Sequence, residues 1–225
     1  MNRVFKLLRL TLLAMAALSV TLGAAGADAA SPEFHVTSVV GSGGVVKGAS
    51  NDNLFSFQGF TIKCVENGGV KGVRYESTLP KTGTSATVKA AYGNAGKGCT
   101  AFGVSASVEM KSCDYVWDLI EKSSPATATF GIKCTTAGDA IAFSASSLPC
   151  TVSFPAQTGL AHMTFLSSGG AEPTDVTASF TVEKTKYTAT GVGCPKAGTF
   201  EDGKYTGTVT LEAFESATKV GFHVF

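Results

Sequence analysis

The 225-residue chain carries 18 Lys and Arg against 17 Asp and Glu, and only 16% of its residues are charged. A formal net charge of +1 provides no electrostatic footprint for nucleic acid or an anionic membrane surface. The length admits one large domain or two small ones.

Residues 1–29 read as an export signal and not as part of the fold. Arg3, Lys6 and Arg9 form a basic start, Leu10 to Leu22 an apolar run, and Ala27-Asp28-Ala29 an A-x-A cleavage site. The mature chain is therefore expected to begin after Ala29 and to be secreted as a single domain, residues 30–225. The apolar run is short for a bilayer span, so no transmembrane segment is expected in the mature chain. Three basic residues and Asp28 leave with the signal, and the remainder carries a net charge near −1. All six cysteines lie in the exported part, where oxidising conditions favour pairing.

From Phe34 onward nearly every segment reads as strand, turn, strand. Candidate strands run over 34–40, 59–65, 70–79, 85–92, 99–110, 113–119 and 126–134, then 139–145, 150–154, 160–166, 174–183, 186–191, 204–214 and 219–224. Turn chemistry separates them at Asn67-Gly68-Gly69, Pro80 to Gly83, Gly93 to Gly98, Ser123-Ser124-Pro125, Ala137-Gly138, Ser167 to Gly170 and Asp202-Gly203. Gly41 to Asn53 is glycine-rich and weakly patterned, which predicts a loop. Exposed faces are rich in hydroxyls, as where Thr206, Thr208 and Thr210 alternate with Gly207, Val209 and Leu211. About thirteen short strands at this spacing, with little helix, predict an all-β, disulfide-stapled sandwich of Greek-key type.

The clearest alternation lies between Cys99 and Trp117. Phe102, Val104, Ala106, Val108 and Met110 share one parity, the pattern of a half-buried strand. As one extended strand, the steps from Cys99 to Cys113 would cover roughly 45 Å, far beyond the reach of a disulfide, so each cysteine needs another partner. Counting strand traversals places Cys113 with Cys134 at one edge and Cys64, Cys99, Cys150 and Cys194 at the other. Proximity in sequence favours Cys64 with Cys99 and Cys150 with Cys194, while a short irregular strand at 139–145 would permit Cys134 with Cys150. Each bridge should contribute about 2 to 4 kcal/mol.

Few strings suggest chemistry. Leu79-Pro80-Lys81-Thr82-Gly83 has the form of an L-P-x-T-G sorting signal, but the β pattern that follows makes it a turn. His35, His162 and His223 lie on separate alternating segments, without the spacing of a metal site or a nucleophile elbow, and the cysteines lack C-x-x-C spacing. No catalytic residue, cofactor or metal site is expected. Glu109, Asp114, Asp118 and Glu121 surround Trp117 and could supply a glycosidase pair, although Tyr115 and Trp117 take the parity opposite to Asp114 and Asp118 and read as core. Glu201-Asp202-Gly203 reads as a turn and not a calcium loop. The terminal Phe225 suits an outer-membrane barrel, but His223, Gly221 and Lys219 break the lipid-facing pattern.

The segments Gly98–Gly103 (GCTAFG), Lys111–Tyr115 (KSCDY), Cys150–Gln157 (CTVSFPAQ), Gly198–Phe200 (GTF) and Tyr205–Gly207 (YTG) resemble a group of uncharacterised secreted actinobacterial all-β proteins with six cysteines. That resemblance implies no catalytic residues. The expectation is a non-catalytic extracellular or cell-envelope structural or binding protein, with strand edges or loops as its contact surface and a cell-wall or extracellular ligand as its partner. The alternative is a secreted carbohydrate-active hydrolase using the carboxylates near Trp117.

Overall fold

Period-two alternation becomes ladder along most of the chain, because each inward apolar residue is followed by a polar one that faces water. A computed structural model describes residues 31–225 except 39, 40, 42, 67–70, 94–97, 102, 146 and 171. The expected export signal, the turns at 67–69 and 94–97, and Phe102 lie outside the described residues. The strands are β1 (Phe34–Thr37), β2 (Gly44–Ser50), β3 (Leu54–Phe57), β4 (Phe60–Cys64), β5 (Val73–Leu79) and β6 (Thr82–Gly83). Then come β7 (Ser85–Tyr92), β8 (Cys99–Ala101), β9 (Val104–Glu109), β10 (Cys113–Glu121), β11 (Ala126–Cys134) and β12 (Ala140–Ala145). The last five are β13 (Thr151–Pro155), β14 (Gln157–Ser167), β15 (Asp175–Thr190), β16 (Gly198–Glu215) and β17 (Thr218–Val224).

Antiparallel ladders join these strands into two closed circuits. The first ring runs β2, β5, β7, β10, β11, β14, β15, β16 and back to β2. The second runs β3, β4, β8, β9, β12, β13, β15, β16 and back to β3. Both rings use the β15–β16 hairpin. Its stretch from Val176 to Phe180 pairs with β14 of the first ring, and its stretch from Thr188 to Thr190 with β13 of the second. The ladder shifts register between these stretches, where Lys184 takes a left-handed φ of 58°. β1, β6 and β17 form a smaller patch beside the first ring, with Phe34, Val36, Phe222 and Val224 buried beneath it.

Opposing walls meet through their side chains, as the layers of a sandwich do. In the first ring Tyr115 of β10 lies 5.9 Å from Tyr205 of β16, four strands away around the circuit, and in the second Phe55 of β3 lies 4.5 Å from Phe143 of β12. The fold is thus all-β and sandwich-like, with no helix among the described residues and one continuous apolar core. The outer faces carry Lys, Glu and Thr. Among the described residues the large exposed apolar side chains are Val65, Ile120, Leu166 and Val192.

Seventeen strands replace the expected thirteen for identifiable reasons. Gly41 to Asn53, expected as a loop, contains β2, a wall of the first ring. Its weak pattern reflects close packing: a Cβ at Gly48 would come within 2.7 Å of Leu211 Cδ2 and 2.8 Å of the Thr210 carbonyl oxygen. The segment from Cys99 to Met110 is not one strand but a hairpin of β8 and β9, reversed at Gly103, whose φ of 76° favours glycine. A glycine on the solvent parity of an alternating run gives the same sequence pattern whether the strand continues or turns. Conversely, the segments 174–183 and 186–191 fuse into β15. Glu201-Asp202-Gly203, expected as a turn, lies inside β16, where Gly203 lets the Thr185 carbonyl approach to 2.6 Å from its Cβ position.

The disulfides join Cys64 to Cys99, Cys113 to Cys134 and Cys150 to Cys194: the pair that the traversal count selects and the two that proximity in sequence favours, although the count takes Cys99 to Met110 as one strand and the structure makes it a hairpin. Each lies between ladder neighbours or just beyond the end of their ladder. Cys64 faces Cys99 across β4–β8 and Cys113 faces Cys134 across β10–β11, while Cys150 and Cys194 flank the paired Thr151 and Thr190 of β13–β15. Two of the three serve the second ring. Its unshared strands are three to six residues long, whereas those of the first are seven to eleven, so the crosslinks sit where ladder hydrogen bonds are fewest.

At the junction of the rings the core turns polar. The hydroxyls of Tyr75, Tyr92, Tyr115 and Tyr205 converge on one another and on Asn53, which lies between β2 and β3 where the chain passes from one ring to the other. Tyr75 donates to Asn53 Oδ1 at 2.8 Å, Tyr205 reaches the same oxygen at 3.3 Å, and Tyr92 and Tyr115 hydrogen-bond each other. All four phenols are buried, and burial is the first cause holding each well above the ordinary phenol range. Tyr187 is raised too, by burial and then by its bond to Asp202.

Two outcomes follow. Replacing Cys64 and Cys99 together with alanine should lower unfolding free energy by about 3 to 4 kcal/mol. Hydrogen exchange should then quicken in the second ring before the first; a uniform change across both would contradict this account. All five tyrosines have raised folded values, so the stability they contribute is complete below about pH 10 and is lost as pH climbs from there towards those values. Near-ultraviolet titration should show phenolate only as the protein unfolds, and a reversible native phenolate signal near pH 10 would refute the buried network.

Candidate functional site

The residues that the sequence offers as a hydrolytic centre are kept apart. Trp117 and Tyr115 point inward and are 3% and 0% exposed, so neither presents a face to a saccharide. Their strand neighbours point outward: Asp114 lies opposite Lys133, and Asp118 opposite Thr129 on one side and Ser85 on the other. Glu109 belongs to β9, across from Ala142 in the second ring, and Glu121 ends β10 on the exposed surface. Among the described residues no group of three or more His, Cys, Asp or Glu could hold a metal ion, and all six cysteines are consumed in disulfides.

One concavity lies on the outer wall of the first ring. A groove of about 650 Å³ crosses β16, β2, β5 and β7. Ladder register builds it from two rows. One row is Thr210, Ala49, Arg74, Ala91, and the next is Glu212, Lys47, Glu76, Lys89. Alanines at outward positions leave the floor low around Arg74, while the long side chains of the second row rise beside it, with Phe214 further along. Arg74 Nη2 donates to the Gly93 carbonyl oxygen at 3.1 Å. Lys47 lies 3.9 Å from Glu76, and Glu212 is engaged by Lys219 at 2.7 Å. Among the described residues Arg74 and Lys89 have no carboxylate within ion-pair reach, so the groove has an excess of positive charge.

A shallower hollow of about 410 Å³ lies over β14, β15 and β16. Its floor is a hydroxyl ladder, Thr164 with Ser179 and Thr208 in one row and Thr181 with Thr206 in the next. His162 and Asp52 border it. The Asp52 carboxylate accepts from the Ser50 hydroxyl and from the Thr208 amide, so it is committed to holding the crossing between β2 and β3 against β16. Among the described residues no hydrogen bond connects His162 with Ser179 or Asp52, and a nucleophile-and-base pair is not assembled.

The other two histidines meet across β1 and β17. His35 and His223 stack with ring centroids 4.6 Å apart, and Phe225 packs against both, 4.9 Å from His223 and 6.2 Å from His35. Glu33 lies 3.4 Å from His35 Nδ1, and Lys122 sits 4.4 Å above the Phe225 ring. Burial first, and then the charge of His35, hold His223 below the ordinary imidazole value against the opposing pull of Glu33 and Glu172.

Sequence reasoning missed the groove because its rows exist only across strands. Lys47, Arg74, Glu76 and Lys89 come from three segments, one of them expected as a loop. The available signal was alanine at the outward positions 49 and 91, where exposed strand faces elsewhere carry Thr or Lys. Comparison with protein-family models, curated proteins and solved structures finds no match.

His223 has a clear pH consequence. Its folded value lies below the unfolded one, so its contribution to stability is complete above about pH 6.5 and is lost as pH falls through the lowered folded value. Thermal midpoints should decline across that window, and His223→Gln should flatten the decline. An imidazole of His223 titrating above that of a free histidine, read by NMR, would contradict the assignment.

Proposed function

We propose that this chain is a non-catalytic protein of the extracellular space or cell envelope, which binds its ligand on the outer wall of the first ring. The single observation that carries the reading is the preformed groove over β16, β2, β5 and β7, where an outward arginine on an alanine floor has no carboxylate partner among the described residues. A cation left unpaired in a concavity is poised to meet a charge supplied by something else. The three disulfides suit an oxidising compartment, as does the export signal read at residues 1–29. Contact through sheet edges is disfavoured, because every strand of either ring has a ladder neighbour on both sides. The carbohydrate-hydrolase alternative loses support from the burial of Trp117 and from the separation of Glu109 from the carboxylates of β10.

The test uses the oxidised mature chain and insoluble cell-envelope material. Wild type should cosediment with that material and release no soluble sugar. Ala91→Trp, an exposed position that fills the groove floor, should lower retention at least about tenfold while leaving the thermal midpoint in place. Equal retention of both proteins would remove the groove from the function, and release of reducing sugar would restore the hydrolase.

A further inference from the structure

We infer that the groove selects a ligand bearing an oxyanion, a carboxylate or phosphate, on a compact apolar body, with Arg74 as the anchoring residue. This rests on the groove being the ligand site. Four observations converge on it.

Arg74 is held in place, because Nη2 donates to the Gly93 carbonyl oxygen, and one such bond leaves most of the five guanidinium N–H donors for another acceptor. Its row neighbours cannot supply one: Ala49 and Ala91 stand on either side, too short to reach or cover the guanidinium. Two further cations lie one diagonal step away, Lys47 on β2 and Lys89 on β7, each two residues along from the alanine that faces Arg74. A diagonal step in an antiparallel pair is about 7 to 8 Å, within the span of long side chains reaching for a common anion. The local carboxylates cancel only part of this charge, with Lys47 lying 3.9 Å from Glu76. Glu76 stands between the two lysines in their row, and Glu212 is drawn to Lys219, which also holds Asp175 at 2.7 Å.

The rest of the groove sets the shape of the ligand. Ala49, Ala91 and Phe214 present two methyl groups and one ring beside the charged anchor, within about 650 Å³. A planar carboxylate can take two parallel N–H bonds from a guanidinium, and a phosphate can do the same while offering a further oxygen to lysine. A neutral polyol would leave the cations without a counter-charge and the alanine floor without an apolar partner.

Titration of isotope-labelled oxidised protein with phenylacetate, phenyl phosphate and the neutral 2-phenylethanol tests this by amide chemical shifts. The two anions should perturb residues 47–49, 74–76 and 89–91 and bind at least about tenfold more tightly than the alcohol. Their advantage should shrink as salt is raised, and Arg74→Gln should remove it, while Lys89→Gln weakens it severalfold. Tighter binding of the phosphate or of the carboxylate identifies which oxyanion the site prefers, and either supports the assignment. Equal binding of all three probes, anion shifts centred elsewhere, or a preference that survives Arg74→Gln would overturn it. If Ala91→Trp nonetheless abolishes envelope retention, the groove stands as the binding surface and only its charge selectivity fails. If Ala91→Trp leaves retention intact, the binding reading itself fails.

Discussion

Two ladders can close on themselves and still share a wall only when the shared hairpin is long enough to serve both. β15 and β16, at 16 and 18 residues, are about three times the usual strand length and span roughly 50 to 60 Å. Their inward residues change partners at the register shift beside Lys184. Before it Val176, Ala178, Phe180 and Val182 fill the first ring; after it Tyr187 and Ala189 fill the second. Closure satisfies the backbone groups that an open sheet of this size would present at its edges.

The passage between rings leaves the chain with a packing problem at the waist, which a polar network resolves. Phe55 stacks on Tyr205 at 4.0 Å and ties the apolar interiors together, while the four phenols and Asn53 occupy the point where strands from both circuits meet. Gly207 is a condition of that arrangement: a Cβ there would come 2.2 Å from Asn53 Oδ1 and 2.7 Å from Phe180 Cζ. The same glycine thus admits Asn53 into the core and keeps β16 close to β15. A cluster of this kind fixes geometry, because each phenol has another within hydrogen-bond distance and two of them share Asn53 Oδ1, while Asn53 Nδ2 is buried without a hydrogen-bond partner among the described residues.

Rigid closed walls turn the outer surface into a lattice. Residues that lie far apart in sequence become neighbours at strand spacing, and the chemistry of any patch follows from which outward residues fall in one row. On β14 to β16 that rule gives hydroxyl beside hydroxyl. On β16, β2, β5 and β7 it gives small residues around an arginine, next to a row of alternating charge. The two concavities described above lie on the outer faces of walls.

The chain's own pattern was enough to indicate that strands dominate and that Tyr115 and Trp117 face inward while Asp114 and Asp118 do not, because parity is a local property; it favoured the observed disulfides but left other pairings open, and the structure decides them. That pattern could not distinguish a strand from a hairpin at Gly103, since a turning glycine and a solvent-facing glycine occupy the same position in an alternating run. Nor could it recognise β2 as a wall, because Gly48 reads as loop until Leu211 is seen lying against it. Closure into two rings, the tyrosine waist and the row that isolates Arg74 were decided by tertiary structure alone. Each depends on which strands become neighbours, and that is fixed by cooperative packing over long separations, 152 residues between Asn53 and Tyr205 among them.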